Sequence, residues 1–298
     1  MKEKKKFYDL PIIIIIVEIL IVNVGMYFAS GLYYHFVDLN DGMQEPMNEF
    51  VDTIVLFLAY FIPMLMCLLY MLITKKERLK VFAMETSRKR IANLFCGLLA
   101  GIIFNGVISG IVYYTGGVHP VFQGLTWMPL AILPFTFIQC CMEEILIRGF
   151  VSTYLEENYK WYVVALIGGI LFALNHINNL IYYGFSLVFC INVVLFGVAF
   201  YLMVKWSGNF WICCGFHTGW NYTQEFLLGL PNSGVTSGFA LFRGENAVKS
   251  FVYDPVYGNE GSLLTLVACI ILIAVLFMLI KMKAAKGTNP LTQKMIRI

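Results

Sequence analysis

Long apolar segments, each about the length of a membrane crossing, recur along this chain and constrain its fold more than any other feature. A helix that crosses the hydrocarbon core of a bilayer needs roughly 20 apolar residues. Hydrophobic residues make up 59% of the sequence and charged residues only 13%, which excludes a soluble domain. The chain is therefore predicted to be all-α, a polytopic membrane bundle of eight transmembrane helices. The eight segments are residues 10–32, 53–73, 91–114, 125–150, 161–179, 184–204, 209–228 and 262–281.

The basic residues predict how these segments are oriented. Lys and Arg in short loops mark the cytoplasmic side of a membrane protein. With eight crossings, 19 of the 21 Lys and Arg residues fall on one side, and only Arg243 and Lys249 fall on the other. We therefore expect one multi-pass domain of the cell membrane spanning residues 1–298, with basic cytoplasmic tails at 1–9 and 282–298.

Net charge and cysteine placement exclude other classes of protein. A net charge of +3, with the basic residues clustered beside apolar segments, predicts no nucleic-acid partner. The eight cysteines all lie within apolar segments, where a disulfide would have to form in lipid. They are better interpreted as small buried hydrophobic residues. The expected surroundings are a lipid bilayer, and the sequence leaves the oligomeric state open.

A few ionisable and polar side chains lie inside the apolar segments. Such groups cost on the order of 2.5 kcal/mol or more each in lipid, so they are expected to face the bundle interior. Isolated ones often serve as interhelical hydrogen-bonding groups. We interpret Glu18 and Glu225 in that way, whereas five groups converging from three segments indicate a functional site. Those five are Glu143 and Glu144 in the fourth segment, His176 in the fifth, and His217 and Asn221 in the seventh.

Helical spacing predicts which of these groups share a face. Glu144 and Arg148 are four residues apart, so they can form an ion pair. Glu143 lies about 100° around the same helix and is expected to point towards the fifth segment, away from any cation. His217, Asn221 and Glu225 follow one another at four-residue steps and predict a single polar stripe.

Helix length also predicts that Glu143 and His176 lie at one depth. Each is about 16 residues from the turn expected at residues 158–161, which corresponds to roughly 25 Å along a continuous helix. The two side chains would then meet across neighbouring antiparallel helices.

These residues form three patterns in a fixed order: Glu143-Glu144-x-x-x-Arg148, Phe172-x-x-x-His176 and His217-x-x-x-Asn221. The set resembles the three motifs of the CAAX protease and bacteriocin-processing (CPBP) family of glutamic intramembrane endopeptidases. The resemblance covers about residues 125–265, the expected catalytic core, and includes a Gly- and Ser-rich outer loop that ends at residues 259–262. The first three segments match the family only in number and hydropathy, and the compact loops look like those of its bacterial members.

The resemblance implies a catalytic role for each residue of the three patterns. Glu143 together with His176 would activate a water molecule, and His217 with Asn221 would form the oxyanion site. Glu144 and Arg148 would support these groups. The implied activity is peptide hydrolysis without a cofactor, on a membrane-associated peptide or protein.

The sequence alone leaves alternatives to this assignment open. A glutamate with two histidines also resembles a zinc site with an open position, although no His-Glu-x-x-His helix is present. The adjacent pairs Cys140-Cys141 and Cys213-Cys214 lack the two-residue spacing of zinc ligands. An immunity or regulatory protein that binds a peptide in the membrane without cleaving it is a further alternative. A small-solute transporter is disfavoured because broken helix pairs are not evident.

Overall fold

The computed structural model describes residues 10–39, 45–75 and 87–285 and contains a bundle of helices with one small sheet. The predicted amino tail 1–9 lies outside the described residues, as does the carboxyl tail beyond Ala285. The helices are α1 (Pro11–Leu39), α2 (Met47–Ala59), α3 (Phe61–Lys75), α4 (Ser87–Tyr114), α5 (Met128–Ala131), α6 (Leu133–Glu144), α7 (Ser152–Leu155), α8 (Trp161–Leu174), α9 (Ile177–Tyr183), α10 (Leu187–Ser207), α11 (Trp211–Tyr222) and α12 (Leu263–Ala285).

Seven helical stretches within the described residues are long and apolar enough to cross a membrane. They coincide with seven of the eight predicted segments and confirm an all-α polytopic membrane bundle. They are Pro11–Phe36, Met47–Thr74, Arg88–Tyr114, Met128–Leu155, Trp161–Tyr183, Leu187–Ser207 and Leu263–Ala285.

The predicted segment 209–228 differs from the other seven. It forms α11 followed by a π-helical turn, Thr223–Leu227, and is shorter than the other spans. Every side chain from Ile212 to Phe226 is buried. This helix therefore runs through the centre of the bundle, where other helices shield it from lipid, and the predicted count of eight transmembrane helices is not confirmed within the described residues.

Glycines position this central helix against α4. Gly97 and Gly101 of α4 lie against the backbone of α11, and Gly215 and Gly219 of α11 lie against the backbone of α4. A Cβ atom at any of the four would collide with a backbone carbonyl oxygen of the facing helix. Two small-xxx-small faces thus interlock, which is the packing that lets membrane helices approach closely. His217 lies between the two glycines of α11, so this seam sets its position.

Several helices are interrupted, and two of these breaks occur near proline. The second span divides into α2 and α3 at Tyr60, three residues before Pro63, whose ring nitrogen cannot donate the helical hydrogen bond. α6 begins with Pro134 in its first turn, a position where the missing N–H is not needed. The fourth span then passes from α6 into a π-helical turn, Ile145–Val151.

The segment between α11 and α12 folds back onto one end of the bundle. Its strand β2 (Phe242–Glu245) pairs antiparallel with β1 (His119–Phe122), with His119 opposite Glu245. Near its end, Tyr257 donates its hydroxyl hydrogen to the carbonyl oxygen of Gly184, which follows α9. Both contacts hold the predicted outer loop over the helix ends.

Candidate active site

The end of α6 carries the two adjacent glutamates, and the π-helical turn that follows carries Arg148. Nε of Arg148 lies 3.2 Å from Oε2 of Glu144, and its Nη1 donates to Oε1 at 3.3 Å. The ion pair predicted from the four-residue spacing is therefore present, and both side chains are buried. The guanidinium carbon also lies 4.5 Å from the ring centroid of Phe172 and 5.1 Å from that of Phe200, so the cation is enclosed by aromatic faces.

Glu144 has a second partner, His217 on α11. Nδ1 of His217 lies 3.1 Å from Oε1 of Glu144, and a carboxylate can only accept, so Nδ1 carries the hydrogen. The other ring nitrogen, Nε2, lies 3.3 Å from the amide nitrogen of Asn221, which donates to it. The four-residue spacing of His217 and Asn221 thus gives a direct contact, in which Nε2 accepts from Asn221 whenever the imidazole is neutral.

Glu143 lies beside His217 of α11. Its Oε2 is 3.9 Å from Nε2 of His217, and its side chain is 14% exposed. Oε2 is buried and accepts no hydrogen bond from the described residues, while Oε1 accepts one from the amide nitrogen of Gln139. One water molecule could hydrogen-bond both Oε2 of Glu143 and Nε2 of His217 at about 2.8 Å, because two such bonds can span this distance. The expectation that Glu143 points towards the fifth segment stays a prediction, and the contact seen within the described residues is with His217 of α11.

His176 lies outside a continuous helix. α8 ends at Leu174, and His176 occupies the turn before α9 with φ −97° and ψ 11°. Its Nδ1 donates to the carbonyl oxygen of Phe172 at 2.8 Å. The two named residues of the Phe172-x-x-x-His176 pattern are therefore joined by a hydrogen bond from side chain to backbone. Within the described residues, His176 forms no hydrogen bond or ion pair with Glu143. The turn comes only after fourteen helical residues of α8, and the shared depth of Glu143 and His176 stays a prediction.

Aromatic rings connect the two histidines. The Phe172 ring centroid is 5.1 Å from that of His176 and 5.7 Å from that of His217. The ring of Phe200 stacks on the imidazole of His217, with 5.3 Å between the ring centroids. Both histidines therefore border the same apolar wall, although they do not touch the same glutamate.

Glu18 contacts the turn that carries His176. Asn175 donates its amide hydrogen to Oε1 of Glu18 at 3.0 Å, and Glu18 is fully buried. This agrees with the interpretation of Glu18 as an interhelical hydrogen-bonding group. Its partner is the residue directly before His176.

Glu225 lies just beyond α11 and contacts the outer loop. It lies in the π-helical turn after α11, where each residue turns through a smaller angle than in an α-helix. Its Oε2 accepts a hydrogen bond from Asn232 of the outer loop at 3.1 Å. The prediction that Glu225 shares one polar stripe with His217 and Asn221 stays a prediction.

Two polar residues near the predicted site were missed by the sequence analysis. Gln139 lies four residues before Glu143, and the spacing rule that identified Glu144 and Arg148 also applies to this pair. Glu260 is held by Trp220 Nε1 at 3.0 Å and by the backbone nitrogen of Ser233 at 2.7 Å. No local pattern indicates these long-range partners.

A metal site would require several ligands in one place. Among the residues that the structure describes, no group of three or more His, Cys, Asp or Glu side chains is arranged to hold a metal ion. The zinc-dependent alternative therefore has no preformed set of three such ligands in this part of the chain.

Comparison with known proteins identifies the region that carries these residues. The family model of Type II CAAX prenyl endopeptidase Rce1-like proteins matches residues 125–223. This stretch begins just before α5 and ends just after α11, so it contains all three residue patterns. A comparison with curated proteins finds no match.

Proposed function

We propose that this protein is an intramembrane endopeptidase that cleaves a membrane-associated peptide or protein, and the match of residues 125–223 to the Type II CAAX prenyl endopeptidase Rce1-like family model supports this proposal. The observation that carries the proposal is the pairing of Glu143 with His217 at 3.9 Å, with one carboxylate oxygen free of hydrogen bonds from the described residues. A free, sheltered carboxylate oxygen facing an imidazole is suited to binding and deprotonating water.

Glu143 is the general base in this proposal. Its Oε2 accepts a proton from water, and the water oxygen bonds to the carbonyl carbon of the scissile peptide. The resemblance of the residue patterns implies that His176 supports the same water, and its Nε2 can accept a hydrogen bond for this purpose because its Nδ1 is bonded to the Phe172 carbonyl. Glu143 then returns the proton to the departing amide nitrogen as the carbon–nitrogen bond breaks.

Asn221 and His217 stabilise the oxyanion that forms on the carbonyl oxygen. The Asn221 amide donates directly. His217 donates through Nε2 when its imidazole enters the reaction already protonated on both nitrogens, and Glu144 then balances its charge from the Nδ1 side at 3.1 Å. Arg148 keeps Glu144 in place through the buried ion pair. Oxyanion donors of this kind are typically worth about 3 kcal/mol each.

The test is cleavage of defined probes by purified protein in liposomes. A quenched fluorescent peptide with a farnesylated C-terminal CAAX sequence is compared with the same peptide without the lipid. Glu143→Gln should lower kcat by about 10²–10⁴-fold, because an amide cannot take up the proton. His176→Gln should also lower kcat, since the water loses one of its supports.

Matched controls use residues of the same types away from the site. Glu245→Gln and His119→Gln lie in the paired strands, opposite each other in register. Both controls should cleave at the rate of the unmodified protein. Full activity in Glu143→Gln and His176→Gln, with normal amounts of folded protein, would contradict the proposal. Cleavage of the farnesylated probe alone would identify a lipidated substrate.

A further inference from the structure

Gln139 makes a contact that none of the three residue patterns includes. It lies in α6, one helical turn before Glu143, and is half-buried. Its amide nitrogen donates to Oε1 of Glu143. Since a carboxylate only accepts hydrogen bonds, the nitrogen of the Gln139 amide must be the atom that faces it.

The amide oxygen of Gln139 faces the opposite way, towards α11. It accepts a hydrogen bond from Nδ2 of Asn221 at 3.4 Å and another from Sγ of Cys140 at 3.3 Å. One side chain therefore joins the proposed base on α6 to the proposed oxyanion donor on α11.

These contacts form a continuous chain of hydrogen bonds. Asn221 donates to Gln139 and also faces Nε2 of His217 at 3.3 Å. His217 in turn donates to Glu144. The two adjacent glutamates are thus connected through Gln139, Asn221 and His217, although their carboxylates point to different sides of α6.

We propose that Gln139 is a positioning residue that fixes the spacing between the Glu143 carboxylate and the Asn221 amide. The inference rests on the function proposed above. With Oε1 of Glu143 held by Gln139, the carboxylate cannot rotate freely, and Oε2 is directed at His217. Displacement of a catalytic group by about 1 Å can lower a rate by roughly 10²-fold.

Gln139→Met tests this role because methionine keeps the length of the side chain and favours a helix, but neither donates nor accepts as an amide does. We expect kcat to fall by about tenfold or more, which is the usual consequence of losing a hydrogen bond to a charged group. KM should stay within about twofold, since Gln139 acts through Glu143 and Asn221. Ile138→Met, one residue away on α6, is the matched control and should retain full activity.

Gln139→Glu separates positioning from a purely structural role. At low pH the added carboxyl group is protonated and can donate to Glu143, whereas at high pH two carboxylates would repel each other. Its kcat relative to the unmodified protein should therefore rise as the pH falls from about 8 to about 5. The corresponding ratio for Gln139→Met should stay flat over that range.

A second measurement needs no substrate. The infrared carboxylate band that disappears in Glu143→Gln should shift in Gln139→Met and stay in place in Ile138→Met. An unshifted band, or an unchanged kcat in Gln139→Met, overturns the role of Gln139 and leaves the proposed peptidase intact. Failure of the unmodified protein to cleave any probe, with the band still shifted, instead overturns the proposed function and retains the contact.

Discussion

Nδ1 of His217 lies 3.1 Å from Oε1 of Glu144, and the same carboxylate forms a buried ion pair with Arg148. Glu144 therefore holds two partners on two different elements, α11 and the π-helical turn after α6. The second glutamate of the pair is connected to the proposed oxyanion site as well as to its own helix. This relationship changes what its replacement is expected to do.

Glu144→Gln should lower both stability and activity. The amide leaves Arg148 buried without its anion, a loss that costs about 3 kcal/mol or more in a buried pair. It also removes the charge that balances His217. Thermal unfolding in detergent should show a lower Tm, and kcat should fall with it, whereas Glu143→Gln should lose activity at a nearly unchanged Tm. A fully stable Glu144→Gln beside an active Glu143→Gln would show that the two roles are exchanged.

Gly219→Ala should disrupt the seam between α4 and α11. The added Cβ would collide with the carbonyl oxygen of Leu98, so the helices must separate. Overpacking of this kind costs typically 1–3 kcal/mol, and the displacement moves His217 and Asn221. We expect a lower Tm and a loss of kcat. Gly110→Ala on α4 is the control, because its Cβ would meet nothing within 4 Å.

Chelation should leave cleavage unchanged. His217 already uses Nδ1 on Glu144 and Nε2 on Asn221, so neither nitrogen is free to bind a metal without breaking a contact. Treatment with phenanthroline should not lower kcat, and elemental analysis should find no stoichiometric zinc. One zinc per chain, with activity lost on chelation and restored by added zinc, would establish the metal-dependent alternative.

Glu260 predicts a dependence of stability on pH. Burial raises the pKa of this carboxyl group above its ordinary value, against the opposing effect of its hydrogen bonds from Ser233 and Trp220 and of His176. The folded protein therefore binds this proton more tightly than the unfolded chain. The stability that Glu260 contributes is fully present below the ordinary carboxyl pKa and declines as the pH rises towards the raised one.

The comparison with Glu260→Gln isolates that contribution, because glutamine does not titrate. As the pH rises from about 4 to about 8, the Tm of the unmodified protein should fall relative to that of the variant. If the Tm of the unmodified protein instead rises relative to that of Glu260→Gln over this pH range, the folded state favours the charged carboxylate.

The sequence by itself determined the membrane class and two of the contacts in the candidate site. Apolar length and the cost of burying polar groups in lipid operate along a single segment, so they can be evaluated without knowing the neighbours. The four-residue spacing of Glu144 with Arg148 and of His217 with Asn221 also depends only on helix geometry. Both pairs are in contact in the structure.

Only the tertiary structure decided which group meets which across helices. The interlocking glycines place α11 at the bundle centre, which sets His217 beside both Glu143 and Glu144. His176 lies in a turn between two helices and Glu225 lies in a π-helical turn, and spacing rules that assume an unbroken α-helix predict neither feature. Contacts between distant segments, such as Gln139 with Asn221 or Glu18 with Asn175, arise from packing, and packing depends on all helices at once.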